Sequence, residues 1–305
     1  MAAKPRPRLA GVKPEEVKPR KPTILLFGPS GVGKSWFALD WPDVYYIDVE
    51  GGATQPEYIH KLRASGGMYI GPDHGAGSFD FVMEQIQALA TEKHDRKTLV
   101  IDSITKLFAN EIAREAERLT DAGKKNEFGA DKKPAVNYMR QMVAWLKRLD
   151  MNVILVAGEV PEWGADARGE RTQIGQTFDC WPRLEYELDL AIQVVKTGPG
   201  RIGRIRKTRL SAFPLAETFL FSYQEFATRY GRSVIESEAQ PVELADSAQV
   251  AEIGRLLEIV RLPEGTVEKW LAAADVTSWD EMPHDRTGKA IEHLRKLIAP
   301  TTENI

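Results

Sequence analysis

Short apolar runs alternate with longer amphipathic segments through much of the chain. Nearly continuous apolar runs predict buried β strands at 23–27, 44–49, 98–101 and 153–157. Helical spacing of apolar positions predicts a helix that begins at Ser35 and further helices over 79–90, 104–119 and 136–149. Strands that alternate with helices in this way form a mostly parallel sheet covered on both faces, so we expect an α/β fold.

Two polar, glycine-containing segments interrupt this pattern, and we predict that both are loops. They cover residues 121–134 and 158–180. Residues 190–210 instead contain two strand-like runs joined at Gly198-Pro199-Gly200, which predicts a β hairpin.

Composition divides the chain into four parts. Residues 1–22 are rich in proline and lysine without periodicity, which predicts a disordered basic arm. The α/β core is expected at 23–232, and the polar residues 233–248 are expected to be a linker. Residues 249–305 show helical periodicity and predict a small acidic helical domain.

The net charge of −3 conceals an uneven distribution of charge. The arm has seven Lys or Arg against two Glu, whereas residues 236–305 have fourteen Asp or Glu against seven Lys or Arg. The acidity of the tail argues against direct DNA contact there and favours a protein partner.

The cysteine count and the hydropathy of the sequence indicate the cellular compartment in which the protein is expected. Cys180 is the single cysteine of the sequence, which excludes an internal disulfide and fits a reducing cytoplasm. No secretory signal and no run of 18 apolar residues is present, so we expect a cytoplasmic protein with no membrane partner.

The stretch LLFGPSGVGKSWFAL at 25–39 carries the strongest chemical signal. Residues 28–35 fit G-x-x-x-x-G-K-[ST] between a predicted strand and a predicted helix. Glycines let backbone N–H groups converge on phosphates, Lys34 reaches the β- and γ-phosphates, and Ser35 offers its hydroxyl to Mg²⁺. The predicted nucleotide-binding positions are Gly28, Pro29, Ser30, Gly31, Val32, Gly33, Lys34, Ser35 and Trp36.

Acidic residues follow two of the predicted strands. Asp102 ends the strand in TLVIDS (98–103), where α/β ligand crevices open, and is the expected second Mg²⁺ anchor. Asp48 and Glu50 lie in YYIDVEGG (45–52) at the end of another strand, and an acid there is a candidate general base.

In their order along the chain, these motifs resemble the RecA-type branch of P-loop ATPases. The resemblance covers roughly residues 23–232 and is nearest to the minimal RecA-like ATPases of bacteriophages, which include single-strand annealing proteins. It implies ATP and Mg²⁺ as cofactors and a RecA-like core. It also implies that Glu50 activates the attacking water.

The same resemblance implies further site residues. Relatives usually place Gln or His, as a γ-phosphate sensor, where this chain has Gly158 followed by Glu159, so either Glu159 substitutes for the sensor or the coupling is weak. Lys207 and Arg209, in RIRKTRLSAFPL (204–215), match two basic side chains that reach a neighbouring subunit's ATP. A homo-oligomer, either a ring or a filament, is therefore expected.

Two segments match the positions of the loops that contact single-stranded DNA in RecA relatives. Cations there would bind DNA phosphates, and Trp163 and Phe128 would stack on bases. The predicted DNA-binding cations are Lys124, Lys125, Lys132, Lys133, Arg168 and Arg171.

These observations predict an ATP- and Mg²⁺-dependent ATPase that acts on single-stranded DNA in phage recombination or strand annealing. A recombination or single-strand-binding protein is the expected partner of the C-terminal helices. Two alternatives stay open: a replicative helicase or helicase loader, and an ATP-binding switch that does not hydrolyse its nucleotide.

Overall fold

A computed structural model of the chain describes residues 19–126, 129–274 and 276–298. The strands are β1 (Thr23–Phe27), β2 (Val44–Asp48), β3 (Met68–Ile70), β4 (Thr98–Asp102), β5 (Asn152–Ala157), β6 (Glu159–Ala165), β7 (Arg171–Phe178), β8 (Leu190–Thr197), β9 (Gly200–Thr208) and β10 (Thr218–Leu220). The helices are α1 (Lys34–Ala38), α2 (Pro56–Ala64), α3 (Phe79–Thr91), α4 (Ile104–Asp121), α5 (Lys132–Leu146), α6 (Leu184–Glu187), α7 (Tyr223–Tyr230), α8 (Arg232–Ile235), α9 (Ser247–Ile259), α10 (Thr266–Ala273) and α11 (His284–Ile298).

One sheet organises the described residues. Its eight strands lie in the order β10-β9-β8-β1-β5-β4-β2-β3. The strands from β8 to β3 are parallel, and β9 and β10 add an antiparallel edge. The expected α/β class, with a mostly parallel sheet flanked by helices and followed by C-terminal helices, is confirmed.

The two faces of the sheet bury alternate residues of each strand. In β1, Leu25 and Phe27 pack with α3 and α5, whereas Ile24 and Leu26 pack with α1 and α7. Because successive side chains of a strand point to opposite faces, a central strand covered on both sides must be apolar throughout. This requirement explains why β1 reads as a continuous apolar run.

The predicted loop at 158–180 is wrong, because most of it forms the antiparallel ribbon β6–β7. Its turn is closed by Asp166, whose side chain accepts hydrogen bonds from the backbone N–H groups of Arg168 and Glu170. Arg206 anchors the ribbon to the sheet through Glu162 and the backbone oxygen of Gln176. Polar outward residues and two glycines dilute the alternating pattern, which is why the sequence reads as a loop.

The predicted loop at 121–134 is too long, because α5 begins at Lys132. Ala135, Met139 and Met142 are buried at helical spacing, and their packing extends the helix toward its N-terminus. Pro134 is compatible with this start, since the first turn of a helix needs no donor from its backbone. Lys132 and Lys133 therefore lie in a helical turn.

The core extends past its expected ends. Lys21, assigned to the disordered arm, is buried and donates hydrogen bonds to the backbone oxygens of Asp150 and Ser237. Ile235, assigned to the linker, is fully buried and accepts a hydrogen bond from the Asn152 side chain through its backbone oxygen. Residues 1–18 lie outside the described part of the chain, and the four-part division of the chain remains a prediction.

The three helices expected near the C-terminus are present as α9, α10 and α11. Ile253, Ile291 and Leu294 form their small core. Arg148, which follows α5, donates hydrogen bonds to the backbone oxygens of Ala274 and Glu281 and so joins these helices to the α/β core. Among the described helices, none is both long and apolar enough to cross a membrane.

The segment that contains β10 and α7 was not predicted, and its contribution to the core can be measured. Phe226 is fully buried and stacks on Phe213 with ring centroids 4.5 Å apart. We expect Phe226→Ala to lower the free energy of unfolding by about 3–5 kcal/mol in denaturant titrations. Leu220→Ala, at a side chain that is 63% exposed on β10, is the control and should change it by less than about 0.5 kcal/mol. Equal effects of the two variants would contradict this view of the core.

Candidate nucleotide-binding site

The P-loop connects β1 to α1 and depends on glycine backbone geometry. Gly28, Gly31 and Gly33 have φ values of 151°, 73° and 101°. A Cβ at Gly28 would lie 2.6 Å from the Val194 backbone oxygen, so the loop can approach β8 this closely only at a glycine. The loop therefore presents its backbone at the N-terminus of α1, the arrangement that binds phosphate.

Lys34 is folded back onto the loop. Its Nζ donates hydrogen bonds to the backbone oxygens of Gly28 and Pro29, at 2.7 Å and 2.9 Å. Burial lowers the pKa of Lys34, and the negative charges of Asp102, Glu159 and Glu50 act in the opposite direction. Lys34 thus provides a partly desolvated ammonium group at the mouth of the loop.

Asp102 lies at the carboxyl end of β4 and meets the P-loop directly. Its Oδ2 accepts hydrogen bonds from the Ser35 hydroxyl and from the Tyr46 hydroxyl, each at 2.5 Å. Burial raises the pKa of Asp102, and the two hydrogen bonds partly oppose that shift. Tyr46 was missed by sequence reasoning because its position in the middle of β2 reads as ordinary core.

The two acids that follow β2 have different environments. Asp48 is buried and accepts hydrogen bonds from the backbone N–H groups of Gly51, Gly52 and Ala53, so it shapes the turn after the strand. Glu50 is exposed, and its Oε1 accepts a hydrogen bond from the Ser103 hydroxyl. Of the two acids, Glu50 is the one that lines the same cavity as Asp102.

These groups surround one cavity of about 610 Å³ at the carboxyl edge of the sheet. Trp36 and Tyr58 form one wall with their rings edge to face, 5.5 Å apart. The lining comprises Ser30, Gly31, Gly33, Lys34, Ser35, Trp36, Glu50, Gln55, Glu57, Tyr58, Asp102, Ser103, Val156, Ala157, Gly158 and Arg201. The other predicted loop positions, Gly28, Pro29 and Val32, support the loop without lining the cavity.

Arg201 is a charged cavity residue that sequence reasoning did not assign to the site. It lies on β9, and its side chain covers Gly33 so closely that a Cβ there would be 2.8 Å from Nε. Gly203 and Ile205 share its strand face, and Ile205 packs into the core beside α1. The period-2 pattern of the hairpin could have placed Arg201 on this face, but only with the register of the whole sheet known.

The residues expected to act across a subunit interface do not line the cavity of their own chain. The Lys207 ammonium donates to the backbone oxygen of Leu188, and the Arg209 guanidinium donates to that of Tyr186. Glu159 begins β6 and does not line the cavity either, although its charge acts on Lys34.

The predicted DNA-binding residues occupy two separate places. Arg168 lies in the turn of the ribbon β6–β7, and the Arg171 guanidinium lies 4.8 Å from the centre of the Trp163 ring. Lys124 and Lys125 are exposed between α4 and α5, close in sequence to Lys132 and Lys133 at the start of α5. Phe128 lies outside the described residues.

The fold and the cavity define a P-loop nucleotide-binding protein of the α/β class. The chain belongs to the AAA domain family, whose model matches residues 20–210. Among solved structures it is similar to the RadB recombinase, with 19% identity and a TM-score of 0.41 over 65% of this chain and 84% of that chain. No curated protein matches the chain significantly.

The buried carboxyl group of Asp102 predicts a stability effect in the metal-free protein. Burial raises the pKa of Asp102 in the folded state, so the ionised carboxylate is less stable in the folded protein than in the unfolded chain. The native state therefore loses stability as pH rises through the folded pKa. Asp102→Asn keeps an oxygen that can accept from Ser35 and Tyr46 but removes the charge. With EDTA present, we expect the variant to have a higher free energy of unfolding at pH 7, and the gain should shrink as pH falls. A variant that is less stable than the parent at pH 7 would contradict this account.

Arg201 should contribute to nucleotide affinity within a single chain. Hydrogen bonds to a charged phosphate are worth about 1.5–3 kcal/mol, so Arg201→Ala should raise the Kd of both ATP and ADP about tenfold or more. Fluorescent nucleotide analogues provide the measurement. Arg204→Ala removes an exposed arginine of the same strand that does not line the cavity, and it should leave the Kd unchanged. Equal losses in the two variants would assign the effect to general charge.

Proposed function

We propose that the chain is an ATP- and Mg²⁺-dependent ATPase of the RecA-like type, stimulated by single-stranded DNA, that serves phage recombination or strand annealing. The observation that carries this proposal is the convergence of Lys34, Glu50 and Asp102 on one cavity. They come from three separate segments of the chain. Their convergence therefore reflects the topology of the sheet rather than closeness in sequence.

The residues present fit a magnesium nucleotide. Mg²⁺ prefers oxygen ligands and is usually bound by one or two protein groups together with phosphate oxygens. The Ser35 hydroxyl and the Asp102 carboxylate supply such oxygens side by side. Mg²⁺, when bound, would neutralise charge on the phosphates, while Lys34 would exchange its contacts with the loop for phosphate oxygens.

Glu50 is the proposed group that orients the attacking water. Its carboxylate lines the cavity that Lys34 and Asp102 share, and the Ser103 hydroxyl holds one of its oxygens. In this proposal the other oxygen accepts a hydrogen bond from the attacking water, as general-base catalysis requires.

Assembly into a homo-oligomer would complete the charge stabilisation. In this proposal a neighbouring subunit's Lys207 or Arg209 reaches the phosphates, after exchanging its present backbone contact for the nucleotide. Both side chains lie on or just after β9, away from their own cavity, which suits a role between subunits.

Single-stranded DNA is the proposed activator, with the ribbon β6–β7 as its contact. Trp163 is 51% exposed beside Arg171, a combination that suits base stacking next to phosphate binding. The ribbon begins directly after Gly158, which lines the nucleotide cavity. A DNA contact would therefore lie close in the chain to the site of hydrolysis.

A nucleotide-binding switch is the second candidate function. Gly158 offers no side chain to sense the γ-phosphate, and a Cβ at this position would have its nearest neighbouring atom 3.8 Å away. An open position at this point favours weak coupling between nucleotide state and DNA contact.

Hydrolysis measured with and without single-stranded DNA tests the proposal. Lys34→Ala should abolish nucleotide binding, because the loop then lacks its only ammonium group. Glu50→Gln should bind ATP normally but turn over about 100-fold more slowly or worse, the usual effect of losing a general base. Lys207→Ala should bind ATP normally and lose hydrolysis in the assembled state.

Glu57→Gln is the matched control, since it makes the same change at another cavity residue. It should retain most of the turnover. Unchanged turnover in Glu50→Gln would remove Glu50 from the mechanism. Tight ATP binding in the parent, with no hydrolysis on addition of DNA, would favour the switch.

A further inference from the structure

A second surface, away from the nucleotide cavity, is built from three adjoining cavities. Their volumes are about 240, 200 and 340 Å³. The first and second share Ala144 and Lys147, and the second and third share Ala273 and Arg286. Together they form a groove, here called the α5 groove, that runs from Trp181 along α5 to α10 and α11. It shares no lining residue with the nucleotide cavity.

The α5 groove is strongly basic. Among the described residues, its one acidic lining residue is Glu187, which pairs with Lys147 at 2.6 Å. No acid of α10 or α11 lines it, although acids outnumber bases in the C-terminal part of the sequence. The cations that line it are Arg140, Lys147, Arg148, Arg183, Arg286 and Lys289.

Tryptophan side chains lie at both ends of the groove. Trp181 lines the core end but is buried, with the Arg140 guanidinium 5.7 Å from the centre of its ring, so the rings available for stacking lie at the other end. Trp270 and Trp279 line the other end, where their rings meet edge to face at 6.3 Å and both are partly exposed. His293 lies against Trp270 with the ring centres 5.7 Å apart.

We propose that the α5 groove binds single-stranded nucleic acid. A positive groove that follows a phosphate backbone, with aromatic rings on which bases stack, is the physical requirement for such a ligand. Stacking on Trp270 or Trp279 needs unpaired bases, which disfavours a duplex. The groove crosses the junction that Arg148 spans by donating to the backbone oxygens of Ala274 and Glu281.

An acidic peptide is the competing occupant, and the observations favour it less. The partly exposed tryptophan rings are confined to the Trp270–Trp279 end, whereas cations line all three cavities. A polyanion uses the whole length, but a peptide anchored by apolar side chains would use one end. This assignment replaces the expectation that acidity keeps the C-terminal helices away from DNA, because the charge of the groove is opposite to that of the surrounding sequence.

The test measures binding of a labelled oligo-deoxythymidylate to the full chain without nucleotide, so that it does not depend on hydrolysis. The double variant Arg183→Glu, Lys289→Glu changes one exposed cation at each end of the groove. We expect about tenfold weaker binding or more. The slope of log affinity against log salt is negative, and its magnitude should decrease by about 1.4, because each lost single-strand phosphate contact removes about 0.7.

The matched control is Lys93→Glu, Arg255→Glu, which makes the same charge change at exposed positions outside the groove. It should retain the parent's affinity and slope, and circular dichroism should show that both double variants are folded. A third variant, Arg168→Glu, Arg171→Glu, removes the cations of the ribbon β6–β7.

An unchanged affinity and salt slope in the groove variant would overturn the proposal. Loss of all binding in the ribbon variant would then assign the oligonucleotide to the ribbon. Loss of binding to an acidic, phenylalanine-containing peptide in the groove variant would then assign the groove to a protein. ATP binding by the groove variant should stay normal in every case, so a failed ATPase test is distinguishable from a failed groove test.

Discussion

The parallel register of β1, β2 and β4 is the constraint on which the site depends. Parallel strands end at the same edge of a sheet, and each of these three strands is followed by a segment that carries polar groups. The P-loop follows β1, Glu50 follows β2, and Asp102 ends β4. Because β5 lies between β1 and β4, the side chain of Ser35 has room to reach Asp102 across the end of a strand.

A buried carboxylate at that edge destabilises the fold unless its charge is compensated. The hydroxyls of Ser35 and Tyr46 supply part of the compensation, and burial raises the pKa of Tyr46 so that its proton stays in place to be donated. Burial still raises the pKa of Asp102. A cation bound beside Asp102 would favour its ionised form and so relieve this cost of burial.

The sequence predicted the parts of the molecule that depend on local pattern. The P-loop motif and the strands β1, β4 and β5 are readable because a buried parallel strand is continuously apolar and because glycines mark the turn that follows β1. Arg201 and Tyr46 were missed, since each becomes part of the site through strand neighbours that are distant in sequence. The ribbon β6–β7 was missed for another reason: its two strands pair with each other outside the core, so few of its residues need to be apolar. The α5 groove needs residues from α5, α6, α10 and α11 together, and no single segment indicates it.

One side chain links the site to the ribbon. The Thr105 hydroxyl, in the first turn of α4, accepts a hydrogen bond from the backbone N–H of Gly158 and donates one to the backbone oxygen of Asp179. Gly158 precedes β6 and Asp179 follows β7, so the Thr105 hydroxyl joins the beginning of the ribbon to its end. Ser103, which caps α4 by accepting from the Lys106 N–H, also holds Glu50. The N-terminus of α4 therefore contacts the proposed water-orienting acid and both ends of the ribbon. Ser103 and Thr105 are two residues apart in the chain, so both sets of contacts lie within one helical turn.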